Sequence, residues 1–324
     1  MPESFEAHYG TVVKALAKGW VVPFLGAGVN LCGRPDGEGW RLGHYLPSGA
    51  ELAEYLAESY DLVQSKKYPA TAVDDLVRVS QYLALTIGSG PLYEELHQIF
   101  DANYPPSPLH GFLAGLPRTL RDKGYPPRYQ LIVTTNYDDA LERAFQAADE
   151  PYDLVSYSVQ ERGKFLHWLP DGEARLIEEP NSYTELSLDE RTVILKIHGA
   201  VDRINPEPER RDSYVITEDN YIEYLTHTEI ASLVPVKLAA KLTRSHFLFL
   251  GYSMRDWNLR VILHRIWGEQ QLSWPSWAIQ LAPEEIECEF WRKRGVDILE
   301  LRLEDYVGAL DRHVAALPPV AVAA

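Results

Sequence analysis

A chain of 324 residues carrying 31 Lys plus Arg against 47 Asp plus Glu can bury a substantial core, either as one large domain with insertions or as two smaller ones. Its formal charge of -16 opposes non-specific contact with DNA, RNA or an anionic membrane, so any phosphate has to be held locally by groups such as backbone N–H at a helix start. Two cysteines, Cys32 and Cys288, neither in a CxxC pair, exclude a four-thiolate zinc site and a disulfide framework.

The first residues, Met1-Pro2-Glu3-Ser4-Phe5-Glu6, hold neither a basic nor an apolar leader segment, and no apolar run of membrane-spanning length follows, so a cytoplasmic protein is expected. Phe5, Tyr9, Val12, Val13 and Leu16 fall at helical spacing between an N-cap candidate, Ser4, and a stop at Gly19. Trp20–Leu25 then reads as a strand that is apolar on both faces, the pattern of a buried parallel strand, and it runs straight into Gly26-Ala27-Gly28. From Pro47 to about Leu116 the texture is helical, with segments at 51–63, 72–87 and 91–100 separated by Pro and Gly. This block is expected as a helical insertion over 47–116.

The apolar run Tyr129–Val133 ends in Thr134-Thr135-Asn136-Tyr137-Asp138 and turns into a helix, Asp139–Phe145. Residues 152–191 alternate short strand-like pieces, such as Phe165–Leu169, with acidic turns and are expected as a smaller β-rich insertion. Thr192–Ile197 is a buried strand closing on His198-Gly199. A charged loop, Pro206–Asp212, is expected as a mobile surface excursion. Helical patterns at 219–225 and 229–242 lead to the strand Ser245–Leu250, which closes on Gly251-Tyr252-Ser253 and enters a helix at 256–267. Strands at 277–281 and 296–301, helices at 283–292 and 304–317, and a loose tail at 318–324 complete the chain.

Strands alternating with helices predict an α/β fold: a Rossmann-like, doubly wound parallel sheet carrying the two insertions, with its core at about 1–46, 117–151 and 192–317. In such sheets ligands bind at the carboxyl ends of strands, where four punctuated loops fall here. Gly26-Ala27-Gly28 would let backbone approach a pyrophosphate, although a tight turn accounts for the glycines equally well and the full GxGxxG spacing is missing. Taken alone, Asn136 reads first as an N-cap for the next helix, but Asp138 or Asp139 in that role frees Asn136 for a ligand. A lone His198 is more often structural than catalytic, yet its imidazole sits at the edge where chemistry collects and can take a proton near neutral pH.

In this order, Gly26-Ala27-Gly28, Thr134-Thr135-Asn136-Tyr137-Asp138, Ile197-His198-Gly199 and Phe249-Leu250-Gly251-Tyr252-Ser253 resemble the SIR2 (sirtuin) superfamily, and specifically its bacterial SIR2-like branch, over about residues 19–270. The resemblance implies NAD held across the strand ends. Gly26, Ala27 and Gly28 match the loop around the pyrophosphate, and Asn136 the residue facing the nicotinamide ribose. Asp138 matches the residue near the nicotinamide amide, and His198 the catalytic histidine. Thr135, Gly251, Tyr252 and Ser253 are expected at the same ligand. Two features depart from the sirtuin deacylases: the paired CxxC zinc module is missing, and Gly33-Arg34-Pro35-Asp36 only echoes the GIPDFR stretch, which leaves Arg34 without an assigned role.

SIR2-like proteins of bacterial antiphage defence share both departures. For them the implied activity is hydrolysis of NAD to nicotinamide and ADP-ribose, with NAD as substrate and no metal. Deacylation or ADP-ribosyl transfer on the same fold, and a non-catalytic NAD or ADP-ribose sensor, are the alternatives. Eight tryptophans and the two insertions offer surfaces for a homo-oligomer or for a separate activating subunit encoded nearby.

Overall fold

In the computed structural model, residues 3–62, 68–126, 129–169, 172–226, 233–255, 257–267 and 274–320 are described. A nine-stranded sheet runs through them in the spatial order β5-β4-β3-β6-β2-β1-β7-β8-β9. Its strands are β1 (Val21–Leu25), β2 (Leu131–Thr134), β3 (Tyr152–Ser158), β4 (Lys164–Trp168), β5 (Ala174–Leu176), β6 (Thr192–Lys196), β7 (His246–Leu250), β8 (Ser276–Gln280) and β9 (Val296–Glu300). From β3 across to β9 every neighbour is parallel, and only the β3–β4 and β4–β5 pairs are antiparallel.

All residues of β1, β2, β6 and β7 are buried, as their unbroken apolar runs require of strands covered on both faces. Alternate residues divide between two cores. Leu25, Ile132, Ile194 and Leu250 face α1 (Glu3–Ala17), α5 (Pro108–Asp122), α6 (Ala140–Ala147) and the last helix, Leu303–Ala315. Phe24, Val133, Leu195 and Phe249 face the helices Val236–Thr243, Trp257–Trp267 and Glu285–Arg292. The sheet is therefore doubly wound. After β1 the chain builds outward through β2 and β6, then returns to the other side of β1 with β7, and this reversal creates the crevice at the carboxyl ends.

Register brings those ends level. Leu25 pairs with Thr134 and with Leu250, and Thr134 pairs with Lys196, so the four loops leave the sheet at one height. Helices α2 (Gly49–Ser59), α3 (Leu76–Ile87) and α4 (Ser89–Phe100) form a third cluster, whose Phe100 meets Tyr137 and Tyr214 at ring distances of 5.5 and 6.2 Å.

Several sequence-based expectations change in this frame. The boundary expected at 116 falls inside α5, whose Leu109, Leu113, Leu116 and Leu120 are buried on the sheet; Pro117 lies within the helix and does not end it. A parallel connection from β1 to β2 needs a helix lying on the sheet, and α5 is that crossover. Segment 152–191 is β-rich, but its strands extend the main sheet, because β3 pairs in parallel with β6 over five residues. The loop expected to be mobile is tied down. Arg210 bridges Glu94 on α4 at 2.5 Å, Glu207 at 2.9 Å and Asp212 at 3.0 Å, and Asp212 is itself buried. Within the expected loose tail, the Val320 amide donates to the Lys123 carbonyl at 2.8 Å and the Tyr125 hydroxyl to Pro318 at 3.1 Å. Residues 321–324, Val63, 229–232 and Asp256, each part of an expected element, lie outside the described residues.

Candidate active site

The four loops line one cleft of about 1530 Å³ at the reversal point. Gly26, Ala27, Gly28, Thr135, Asn136, Asp138, His198, Gly251, Tyr252 and Ser253 all lie on its wall, so every residue singled out from the sequence is brought to one place. The cleft continues along the strand ends to Gln280 and Leu301 on one side and to Tyr221 and Ile222 on the other.

The glycines have a local physical cause. The Gly28 amide donates to the Gly251 carbonyl at 2.8 Å and the Gly26 amide to Leu250 at 3.0 Å. Gly251 sits at φ +65°, and a Cβ there would lie 2.2 Å from the Val29 nitrogen. The loops after β1 and β7 thus interlock backbone to backbone, which only residues without side chains permit. The amides of Gly26 and Gly28 are committed to this interlock.

The β2 loop is held by its own side chains. Thr134 Oγ1 donates to the Leu25 carbonyl at 3.2 Å and accepts from the Asn136 amide at 3.0 Å. Asp138 Oδ1 accepts from the Ala140 amide at 3.0 Å, so Asp138 satisfies the start of α6. Asn136 is thereby released from capping; it is 9% exposed, and its Nδ2 donates to the Gly26 carbonyl at 3.4 Å. Burial raises the Asp138 carboxyl above its usual range, partly offset by the charge of Lys196. The neighbouring Tyr137 donates its hydroxyl to the Val215 carbonyl at 2.8 Å and packs against Tyr214 and Phe100.

His198 is 3% exposed and stands edge-on to Tyr221 and Tyr224 at ring distances of 5.3 and 5.6 Å. Burial lowers its pKa to about 3, so the imidazole is neutral at physiological pH. Its Nδ1 lies 3.5 Å from the Tyr221 hydroxyl, and its buried Nε2 has no hydrogen-bond partner among the described residues. In the tautomer with the proton on Nδ1, Nε2 is a free acceptor. A buried polar atom left unpaired costs about 1–3 kcal/mol, which a ligand or water recovers.

Three guanidinium groups line the cleft. Arg34 is locked to Glu51, where Nη1 to Oε2 is 3.0 Å. Burial alone would raise the Glu51 carboxyl, but hydrogen bonds from Arg34, Ser48 and the Trp40 amide outweigh it and hold it at about 2. Arg34 therefore acts inside the wall, fixing α2 to the loop after β1. Arg302 pairs with Asp36 at 2.6 Å and Glu304 at 2.9 Å. Arg78, exposed in the first turn of α3, has no ion pair among the described residues. Neither Arg78 nor Tyr221 was legible as a site residue: both sit on helices whose spacing says only that they are solvent-facing or amphipathic. Among the described residues no three His, Cys, Asp or Glu side chains converge as metal ligands do, and no helix is long and apolar enough to cross a membrane.

Comparison with known proteins places this geometry in context. The model of the family described as the SIR2-like domain matches residues 130–299. A protein of Acinetobacter baumannii (strain 532279) named NAD(+) hydrolase ThsA is 30% identical over 196 residues, 59% of this chain and 31% of that protein. A namesake from Enterococcus faecium is 26% identical over 272 residues, 82% of this chain and 44% of its own length. Defense-associated sirtuin 2 of Bacillus subtilis is 22% identical over 294 residues, 89% of this chain and 24% of that protein. The chain thus spans less than half the length of each of these relatives.

Proposed function

The chain belongs to the SIR2-like domain family, and from that premise we propose that it hydrolyses NAD+ to nicotinamide and ADP-ribose as an antiphage defence effector. The observation that carries this reading is the pairing, on one cleft wall, of a buried Asn136 freed from capping with a buried neutral His198 whose Nε2 has no partner among the described residues. The names of the relatives, NAD(+) hydrolase and defense-associated sirtuin, support the same substrate and setting.

Cleavage breaks the bond between ribose C1′ and the nicotinamide nitrogen. Nicotinamide leaves with the electron pair as a neutral molecule, and positive charge develops on the ribose. Water then adds to C1′ and gives up one proton, so NAD+ and water yield nicotinamide, ADP-ribose and H+. In this scheme Asn136, fixed through the Gly26 carbonyl, orients the ribose and the incoming water. His198 Nε2 accepts a hydrogen bond from that water or from a ribose hydroxyl, a geometry-dependent contribution. Asp138 lies near the nicotinamide amide, and the Gly26–Gly28 and Gly251–Ser253 loops with Thr135 flank the rest of the dinucleotide. Activity is controlled by self-assembly or by a separate activating subunit, for which the helical block α2–α4, part of the cleft wall, is the candidate surface.

Nicotinamide release from NAD+ by the purified chain, alone and with the polypeptides encoded beside its gene, is the direct test. Asn136→Ala and His198→Ala are each expected to lower turnover by at least about 100-fold without unfolding the protein. Wild-type turnover in both folded variants would overturn the assignment.

A further inference from the structure

One buried charged side chain that this scheme leaves unused is Lys196, the last residue of β6, two positions before His198. It is 1% exposed. A lysine is almost never buried so completely unless its ammonium is paired, and this one has two partners. Its Nζ lies 2.6 Å from Glu142 Oε1, on the first turn of α6, with both side chains buried. It also donates to the main-chain carbonyl of Asp138. One ammonium therefore joins the strand that delivers His198, the loop that carries Asn136 and Asp138, and the helix that follows that loop.

We propose that Lys196 is a positioning residue: it fixes the Asn136–Asp138 loop against the strand ending in His198, so that the two groups meet one ligand in register. A buried ion pair is often replaceable by apolar side chains without loss of stability, which makes fold stability a weak reason for the charge here. The bond to a carbonyl of the site loop supplies a geometric reason. Parallel pairing of β2 with β6 already sets the strands, since Thr134 stands opposite Lys196. Beyond Thr134 the loop is held by main-chain bonds, the Thr135 amide to the Leu25 carbonyl at 3.2 Å and the Val201 amide to the Tyr137 carbonyl at 2.9 Å, and by side-chain anchors that include Asp138 on α6, Tyr137 on Val215, Asn136 on Gly26 and this ammonium. Of these side-chain anchors, the ammonium is the one that β6, the strand leading to His198, extends to the loop.

The inference rests on the NAD+ hydrolase reading for its kinetic consequence but not for its structural one, so two readouts separate them. Lys196→Met/Glu142→Gln removes both charges and with them the cost of an unpaired ion; Glu142→Gln alone keeps the lysine and its bond to the Asp138 carbonyl. Hydrogen exchange of the 134–140 segment is expected to accelerate in the double variant relative to Glu142→Gln, with strand amides of β1 and β7 unchanged. Turnover of NAD+ in the double variant is expected to fall about 100-fold through kcat, with KM within about threefold; Glu142→Gln stays within about fivefold of wild type and Lys196→Arg falls between. If the double variant does not fold, Lys196→Gln replaces it, with the same contrast against Glu142→Gln. Unchanged exchange of 134–140 in the folded variant overturns the proposal, whatever the activity. Absence of NAD+ turnover by the wild type under all conditions overturns the hydrolase reading and leaves exchange to decide the role of Lys196.

Discussion

Asp138 and Asn136 divide a task that their spacing leaves ambiguous. Either residue type caps a helix well; the N-cap position is Asp139, whose side chain makes no cap bond, and it is Asp138, one residue earlier, whose Oδ1 accepts from the Ala140 amide. Asn136 is then held over the Gly26 carbonyl with its remaining hydrogen-bonding capacity available. Charge at this scale is equally selective. With Arg34 and Arg302 each paired to carboxylates, Arg78 is, among the described residues, the cleft-wall guanidinium without an ion pair, and on the proposed reading it is the one free to meet the anionic part of the substrate. For an exposed side chain that holds ground and transition states alike, Arg78→Ala is expected to raise KM for NAD+ about 10-fold with kcat within about twofold. Arg78→Lys should recover part of the loss. Steady-state kinetics on the three proteins check this, and a change confined to kcat would contradict it.

Among the elements, the α2–α4 block is joined to the sheet through aromatic contacts rather than strand pairing. Tyr137, in the β2 loop, is the pivot: it touches Phe100 at the end of α4 and Tyr214 beyond β6, and its hydroxyl satisfies the Val215 carbonyl. Removing the ring leaves a cavity between block and sheet. Tyr137→Ala is accordingly expected to cost about 3–5 kcal/mol, whereas Tyr137→Phe, which only orphans a carbonyl, should cost about 1–3 kcal/mol. Because the loss is local, exchange in α3 and α4 should accelerate more than in β1 or β6. Uniform acceleration across the molecule would mean that the block has no independent opening. At this scale the sequence was partly legible. Ser48 with Glu51, and Ser107 before Pro108, punctuate α2 and α5 as helix starts. Whether a helix belongs to the block or to the sheet depends on which buried face its apolar stripe meets, and α5 shows that the stripe itself does not say.

At the scale of the whole molecule, burial depresses three histidines among the described residues: His8 and His110 to about 4 and His198 to about 3. Above pH 6.5 they are neutral in folded and unfolded chains, so they have no effect on stability there. As pH falls below 6.5 the unfolded chain takes up protons that the folded chain refuses until about 4 or below, and stability declines through that window. Relative to His198→Asn or His110→Asn, which lack the titrating group, the wild type should therefore lose stability between pH 6.5 and 4.5. Urea midpoints across that range test it, and a constant difference would show these sites to be hydrated. What the sequence determined by itself is what local pattern encodes. Unbroken apolar runs made β1, β2, β6 and β7 buried parallel strands, and the glycine and polar residues closing them marked the edge where the cleft opens. Tertiary structure decided the rest: that β3, β4 and β5 extend one sheet, that Arg210 pins its loop, and that Lys196 reaches a carbonyl 58 residues earlier in the chain. Side-chain periodicity reports which face of an element is buried, whereas contacts between distant segments depend on register and on where the crossovers return the chain, and no spacing within a segment carries that information.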